Sequence, residues 1–257
     1  MQVFDFNIHP KLKKGHISKS FYFEDENETL GDLCIIGELD NCISKDIKTL
    51  EEISNIIKKA FFVNNKITTE VALEIALDKG NKYLRTLSSE GNVRWLGNMN
   101  IAVMAIKNSN IYFSKNGNIK MILLRDKEYH DIAEHLEQQT SGAAYFSNTA
   151  KGELMEFDKL FILTESIYEF FELYLSQRIL RVESFKPQTL PKLLKEAKED
   201  LKTQTGIIFF INSTGKKKHK PLIPGFRMPK IKINKEYLLI ISFITIWIIA
   251  YLIFKLN

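Results

Sequence analysis

Cysteine is scarce in this 257-residue chain, which contains only Cys34 and Cys42. Two cysteines cannot form the several disulfides that hold small secreted domains together, so we expect a reducing compartment. A single disulfide between the two remains open. A hydrophobic content of 45% and a charged content of 26% are those of a folded protein, and the stability must come from an apolar core.

Several enzyme motifs are also absent. The chain has no Gly-x-Ser-x-Gly string, no P-loop and no Cys-x-x-Cys pair. Nothing therefore predicts a serine nucleophile on a strand–helix turn or a phosphate-binding loop for a nucleotide. Residues 1–14 mix acidic and basic residues without an apolar segment, so no signal peptide is expected.

Net positive charge is confined to the C-terminal part of the chain. Residues 216–257 hold nine Lys or Arg and one acid, Glu236, and so carry +8. Since the whole chain has a formal net charge of +5, residues 1–215 carry −3. A domain with this charge has no electrostatic reason to bind phosphate backbones, and we expect no nucleic-acid partner.

One long apolar run is present near the C-terminus. Residues 237–254 read YLLIISFITIWIIAYLIF and contain no charged side chain. As a helix this run spans about 27 Å, close to the thickness of a bilayer core. A buried core helix is the alternative, but the run has no polar face for a soluble surface. We expect a single-pass transmembrane anchor at residues 237–254.

The segment before this run, residues 214–236, is basic and contains Pro221, Pro224 and Pro229. The prolines disfavour a helix and predict an extended tether. Positive flanks stay in the cytoplasm, so the N-terminal domain is expected on the cytoplasmic side of the membrane. The basic residues of this segment either only fix the orientation in the membrane or also bind anionic lipid. The candidate lipid contacts are Lys216, Lys217, Lys218 and Lys220.

Residues 1–213 are expected to fold as one domain. Apolar periodicity predicts strands and helices that come in blocks and do not alternate singly. This order argues against a doubly wound parallel sheet and favours an α+β fold, a layered β-sandwich of antiparallel sheets flanked by helices. The predicted strands are residues 3–8, 20–23, 33–36, 93–106, 110–114, 119–124, 160–163 and 206–211, and the predicted helices are residues 46–61, 68–89, 167–175 and 190–201.

This order of elements resembles the PPM-type (metal-dependent, type 2C) serine/threonine phosphatases, whose domain is a β-sandwich flanked by helix pairs. The resemblance covers about residues 12–212. It also rests on local strings that look like the family's Asp-Gly-x-Gly-Gly, Ala-Asn, Gly-Thr-Thr, Gly-Asp-Ser-Arg with Leu-Arg-Asp, Ser-Asp-Gly and Asp-Asn-x-Thr motifs. The corresponding strings here are residues 37–41, 80–81, 97–99, 117–120 with 124–126, 164–166 and 204–206.

The resemblance implies a pair of divalent cations, usually Mn²⁺ or Mg²⁺, held by aspartates around a nucleophilic water. Two of the four expected aspartates appear here as glutamates, Glu38 and Glu165. The extra methylene moves a carboxylate by more than hard-cation coordination tolerates. We interpret Glu38 and Glu165 as remnants of metal-site positions. The alternative is that they are ordinary carboxylates of a loop and of a helix start.

Other departures from the family motifs point the same way. Leu39 stands where a glycine is expected, and its side chain should crowd the metal pocket. The early acidic position has no match in residues 15–19, the closing Asp-Asn is absent, and the phosphate-binding arginine is missing. Lys13 or Lys14 would replace that arginine only loosely, because lysine lacks the bidentate fork. His16 is expected to be a surface residue.

These departures predict a membrane-anchored PPM-like pseudophosphatase, a binding or regulatory module for an unidentified protein partner. No cofactor is expected, or Mn²⁺ or Mg²⁺ if the site retains residual affinity. One alternative is a divergent, active metal-dependent protein phosphatase. A second alternative is an unrelated α+β interaction domain on a tail anchor.

Overall fold

Two antiparallel sheets form the centre of the domain. The computed structural model describes residues 1–8, 15–43, 46–136, 145–182, 185–186 and 188–213, and the predicted tether and transmembrane helix lie outside these ranges. The strands in the described ranges are β1 (Gln2–Ile8), β2 (His16–Phe23), β3 (Asp32–Asp40), β4 (Met99–Lys107), β5 (Asn110–Asn116), β6 (Lys120–Arg125), β7 (Glu128–Asp131), β8 (Ala150–Glu153), β9 (Lys159–Leu163) and β10 (Gly206–Asn212).

Each sheet has five of these strands, and all neighbours are antiparallel. The first sheet has the order β1-β10-β9-β6-β7, and the second has the order β2-β3-β4-β5-β8. The α+β prediction with antiparallel sheets is therefore confirmed.

The strands are apolar on both faces because each sheet lies between two layers. In β3, Cys34 and Ile36 point into the core between the sheets, where they meet first-sheet residues such as Ile162 and Phe209. Leu33 and the other residues on the alternate face pack against helices. Successive side chains of a strand point to opposite faces, so this alternation builds two cores from one strand.

The second sheet is covered by two long helices, α1 (Ile47–Phe62) and α2 (Thr69–Ser89). Thr68 caps α2, its hydroxyl accepting from the Val71 N–H at 3.3 Å. The first sheet is covered by α3 (Glu165–Phe170), which continues through a π-helical turn (Phe171–Leu175) into α4 (Ser176–Leu180), and by α5 (Thr189–Glu196) and α6 (Lys198–Leu201). The result is a four-layer sandwich, helix–sheet–sheet–helix.

Several predicted boundaries were wrong. The strand expected from residue 93 begins at Met99, because residues 93–98 form turns in which Asn98 N–H bonds the Trp95 carbonyl. The helix expected over residues 190–201 breaks at Ala197. Strands β7 and β8 were not predicted. Both cysteines are buried and free, so the open question of a disulfide is answered. No helix in the described ranges is long and apolar enough to cross a membrane.

A glycine at the start of β3 offers a test of this packing. Gly31 has φ +83°, and a Cβ there would overlap the Ile106 carbonyl oxygen. We expect Gly31→Ala to lower the free energy of unfolding by about 2–4 kcal/mol, since it adds overlap to the strain of a left-handed alanine. Gly91→Ala is the matched control, with φ +81° and nothing within 4 Å of the added Cβ. Its cost should be about 1 kcal/mol. Urea denaturation measures both, and equal losses would contradict the overlap argument.

Candidate functional site

The two predicted glutamates meet at one end of the sandwich. Glu38 lies near the end of β3, paired with Asn100 at the start of β4. Glu165 is the first residue of α3, which follows β9 directly. Because β3 belongs to the second sheet and β9 to the first, this end brings the two sheets into contact through polar side chains.

Glu38 is 1% exposed and sits in a strand. The explanation of Glu38 as a loop carboxylate is therefore wrong. Its Oε1 accepts from Asn100 Nδ2 at 2.9 Å and from the Glu165 N–H at 3.0 Å, and its Oε2 accepts from the Ser166 hydroxyl at 3.1 Å. Burial raises the pKa of Glu38 above its ordinary value, and these hydrogen bonds offset the rise only in part. The carboxylate thus joins β3 to the start of α3.

The turn after β5 completes this cluster. Asn100 Oδ1 accepts from the Asn118 N–H at 3.0 Å, and the Asn118 amide donates to Glu165 Oε1 at 2.9 Å. Gly117 has φ +80°, and a Cβ there would overlap the Asn100 amide. The glycine is required so that the turn can approach Asn100. The Glu165 side chain is exposed to solvent and accepts a hydrogen bond from Asn118. The Glu165 main-chain N–H donates to Glu38.

His16 lies against the same carboxylate. Its Nδ1 is 2.7 Å from Asp40 Oδ1, and its Nε2 is 4.0 Å from Glu38 Oε2. The side chain is only 10% exposed, so the expectation of a surface His16 was wrong. Within the described ranges, Nε2 is the one buried side-chain nitrogen or oxygen without a hydrogen-bond partner. A carboxylate accepts, so Nδ1 carries the hydrogen, and in the neutral ring Nε2 is a second acceptor facing Glu38.

Leu39 does not crowd this cluster. Its side chain is fully buried in the core between the second sheet and helices α1 and α2. The expectation was wrong because neighbouring residues of a strand point to opposite faces. With Glu38 turned towards the first sheet, Leu39 must face the helices.

Helix α2 supports the neighbouring segment. Asn81 is buried and bonds both main-chain groups of Phe146, accepting from its N–H and donating to its carbonyl, each at 2.8 Å. The adjacent Tyr145 hydroxyl donates to the Met99 carbonyl, beside Asn100. The sequence marked Asn81 only through the resemblance, and this geometry gives it a positioning role for residues 145–146.

The residues at this end do not fit a pair of divalent cations. Where the chain is described, no group of three or more His, Cys, Asp or Glu side chains is placed to hold a metal ion. Glu38 directs both oxygens towards N–H and O–H donors, and the neighbouring Asn100 and Ser166 carry no charge. Hard cations need several anionic or carbonyl oxygens around them. Lys13 and Lys14 lie outside the described residues.

Comparison with known proteins finds likeness in structure alone. No model of a protein family matches the chain, and no curated protein matches it. A serine/threonine phosphatase of S. agalactiae superposes with a TM-score of 0.58 at 14% identity, covering 83% of this chain and 99% of its own. A bacterial serine phosphatase gives 0.65 at 12% identity, over 84% and 99% of the two chains.

A third solved structure contains metal. The catalytic domain of the serine/threonine protein phosphatase PstP, in complex with two manganese ions, superposes with a TM-score of 0.55 at 10% identity, over 78% of this chain and 98% of its own. These structures have PPM-type phosphatase domains, and the described domain has the same fold. The hypothesis of an unrelated α+β domain is therefore dropped.

Substitutions of Glu38 test its part in the cluster. We expect Glu38→Ala to cost about 2–4 kcal/mol of unfolding free energy, because it leaves several donors without an acceptor. Glu38→Gln should cost less than about 1 kcal/mol at neutral pH, since its amide oxygen can replace Oε1 and its NH₂ can donate to the Ser166 oxygen. Thermal and urea denaturation measure both, and equal losses would show that the negative charge itself is required.

The raised pKa of Glu38 makes the stability of the folded protein depend on pH. The folded protein keeps the proton to higher pH than the unfolded chain does, so protonation of Glu38 favours folding at low pH. This contribution is complete below the unfolded value of about 4.3 and is lost as the pH rises through the folded pKa. Glu38→Gln should remove this part of the pH dependence of stability, while Glu38→Asp should keep it.

Proposed function

We propose that this chain is a membrane-anchored PPM-like pseudophosphatase, a binding or regulatory module on the cytoplasmic face. The observation that carries the proposal is the state of Glu38. This carboxylate lies 1% exposed among Asn100, Ser166 and the Glu165 N–H, which satisfy it without a cation. A protein that keeps the fold and fills the metal position with neutral donors retains a surface but loses hydrolysis.

The chemistry of phosphoryl hydrolysis supports this reading. In a metal-dependent phosphatase, divalent cations lower the pKa of the attacking water and stabilise the charge that develops at phosphorus. The groups that hydrogen-bond to Glu38 are neutral donors, from Asn100, Ser166 and the Glu165 N–H. The cations nearest to this end are already engaged, Lys120 by Asp131 at 3.2 Å and Lys115 by the Ile119 carbonyl at 3.1 Å. No substitute for the metal pair is therefore placed at this end among the described residues.

The expected role is then recognition of a protein partner. The domain carries −3 over residues 1–215, so a partner with a basic surface is favoured over an acidic one. The proposed anchor, residues 237–254, would keep the domain at the membrane and concentrate it near membrane proteins.

A divergent active phosphatase remains the alternative. The exposed Glu165 carboxylate, held by Asn118 near Glu38, is the feature that favours it. In that case Glu38 and Glu165 would bind Mn²⁺ or Mg²⁺ after rearrangement of the donors around Glu38. The two functions differ in metal affinity and in turnover.

Calorimetry with Mn²⁺ on the full chain in neutral detergent micelles separates them. We expect no saturable binding below millimolar Mn²⁺, no shift of the melting temperature on adding Mn²⁺ or a chelator, and no release of phosphate from a phosphopeptide. Glu74→Gln, on the outer face of α2, is the matched control for Glu165→Gln. Micromolar binding that Glu165→Gln abolishes and Glu74→Gln leaves intact, together with turnover, would establish the active enzyme.

Removal of residues 237–257 tests the anchor. The full chain should sediment with membranes and resist extraction at high salt, because burial of an apolar helix does not depend on charge. The shortened chain should appear in the soluble fraction or come off in about 1 M salt, where surface charges are screened. Retention of the shortened chain on membranes after the salt wash would contradict the proposed anchor.

A further inference from the structure

The tether begins at the end of the sandwich opposite Glu38. Strand β10 runs from Gly206 to Asn212, where it pairs with Gln2 and Lys159. Ser213 then bonds the loop between β8 and β9, donating to the Asp158 carbonyl at 3.0 Å and accepting from the Phe157 N–H at 3.0 Å. Ser213, the last described residue, therefore lies beside residues 157–158.

This loop exposes apolar side chains. Met155 is 42% exposed and Phe157 is 61% exposed. Phe157 also has φ +71°, a conformation that costs energy for a side chain of this size. The bond to Ser213 and a second bond, from Lys159 Nζ to the Phe157 carbonyl at 3.1 Å, hold the loop in this form. An aromatic ring is thus kept at the surface where the chain leaves the domain.

Several carboxylates lie at the same end of the domain as these two side chains, together with Lys107, Lys127 and Lys159. The β8–β9 loop is joined to the β4–β5 turn by the Leu154 N–H bond to the Ser109 carbonyl, and Lys107 at the same turn bonds the Thr29 carbonyl. The β2–β3 connection therefore lies at the same end. The β6–β7 turn also lies there, because Arg125 at the end of β6 donates to the Glu153 carbonyl at 2.9 Å. We call this region the exit surface: Met155 and Phe157 with Glu24, Glu26, Glu28, Asp126, Glu128, Glu153 and Glu156.

The first residues of the tether after Ser213 are basic and then apolar, so they complement the carboxylates and the apolar side chains of the exit surface. Residues 216–224 read KKKHKPLIP. An extended chain covers at most about 3.6 Å per residue, so Lys216 stays within about 11 Å of Ser213 and Lys220 within about 25 Å. The Debye length is about 10 Å at 0.1 M salt. The covalent link alone therefore keeps these lysines at high local concentration beside the exit surface.

We propose that residues 216–224 dock on the exit surface of their own domain. The lysines pair with the carboxylates, and Leu222 and Ile223 cover Met155 and Phe157. The proline at 221 disfavours a helix, which suits an extended segment lying along a surface. The same lysines are the candidate contacts to anionic lipid, so lipid must displace the domain to bind them.

Zero-length carbodiimide coupling on the full chain in neutral detergent micelles tests the docking, with peptide mapping of the products. We expect bonds from Lys216, Lys217, Lys218 or Lys220 to exit-surface carboxylates, with a yield that falls roughly threefold or more in 0.5 M salt. A mixture of isotopically light and heavy chains should show that the bonds lie within one chain. Bonds spread over carboxylates elsewhere, or only between chains, would overturn the proposal.

Matched variants sharpen the test. The triple change Glu26→Gln, Glu128→Gln and Glu156→Gln should lower the total yield on the remaining exit-surface carboxylates roughly threefold. The control triple, Glu74→Gln, Glu90→Gln and Glu169→Gln, removes equal charge from exposed helix positions and should leave the yield unchanged. Equal losses in the two triples would show general attraction to an acidic domain and overturn docking at this surface.

A separate variant tests the proposed apolar contact between the tether and the exit surface. Phe157→Asn keeps a residue that tolerates positive φ and removes the ring while every carboxylate remains. Combined with Met155→Gln, it should lower the yield at least roughly twofold. An unchanged yield in a variant that melts like the parent would overturn the apolar contact with Leu222 and Ile223.

Discussion

One buried carboxylate holds the end of this sandwich together. Glu38 lies on a strand of the second sheet, yet its acceptors are satisfied by Asn100 of the same sheet and by the start of a helix that follows the first sheet. A buried polar group costs energy unless it is hydrogen-bonded, so each of these contacts stabilises the others. Glu165 donates to this side chain directly, and Asn118 supports the cluster indirectly through its bonds to Asn100 and Glu165.

The same hydrogen bonds decide what chemistry this end can support. Three hydrogen-bonding positions of the Glu38 carboxylate are taken by N–H and O–H donors, so a cation would have to displace donors in order to bind here with several contacts. The Nε2 atom of His16 lies 4.0 Å from Glu38 Oε2 and has no hydrogen-bond partner among the described residues. The shared fold alone therefore does not assign the activity of the similar phosphatases to this chain, because one fold can host several functions.

The two ends of the domain differ in how far their carboxylates are exposed to solvent. Glu38 at one end is buried, whereas most carboxylates of the exit surface at the other end are exposed to solvent. The −3 of residues 1–215 and the +8 of residues 216–257 are joined at Ser213, at the acidic end. Opposite charges linked by a few residues interact far more than the same charges on separate molecules, which makes the linkage point as important as the charges.

Local pattern was sufficient for much of the architecture. The apolar stripes predicted α1 and α2 almost to the residue, the alternating and apolar runs predicted β1, β9 and β10, and the block order of helices gave the antiparallel α+β class. Strand β7 was missed because its turn, Asp126-Lys127, takes positive φ at both residues without glycine or asparagine. Composition also determined the charge division and the apolar run at residues 237–254. Only the tertiary structure decided that Glu38 is buried, that Leu39 faces the helices and that His16 and Asn100 join the site, because those contacts connect residues far apart in the chain whose spacing carries no local periodicity.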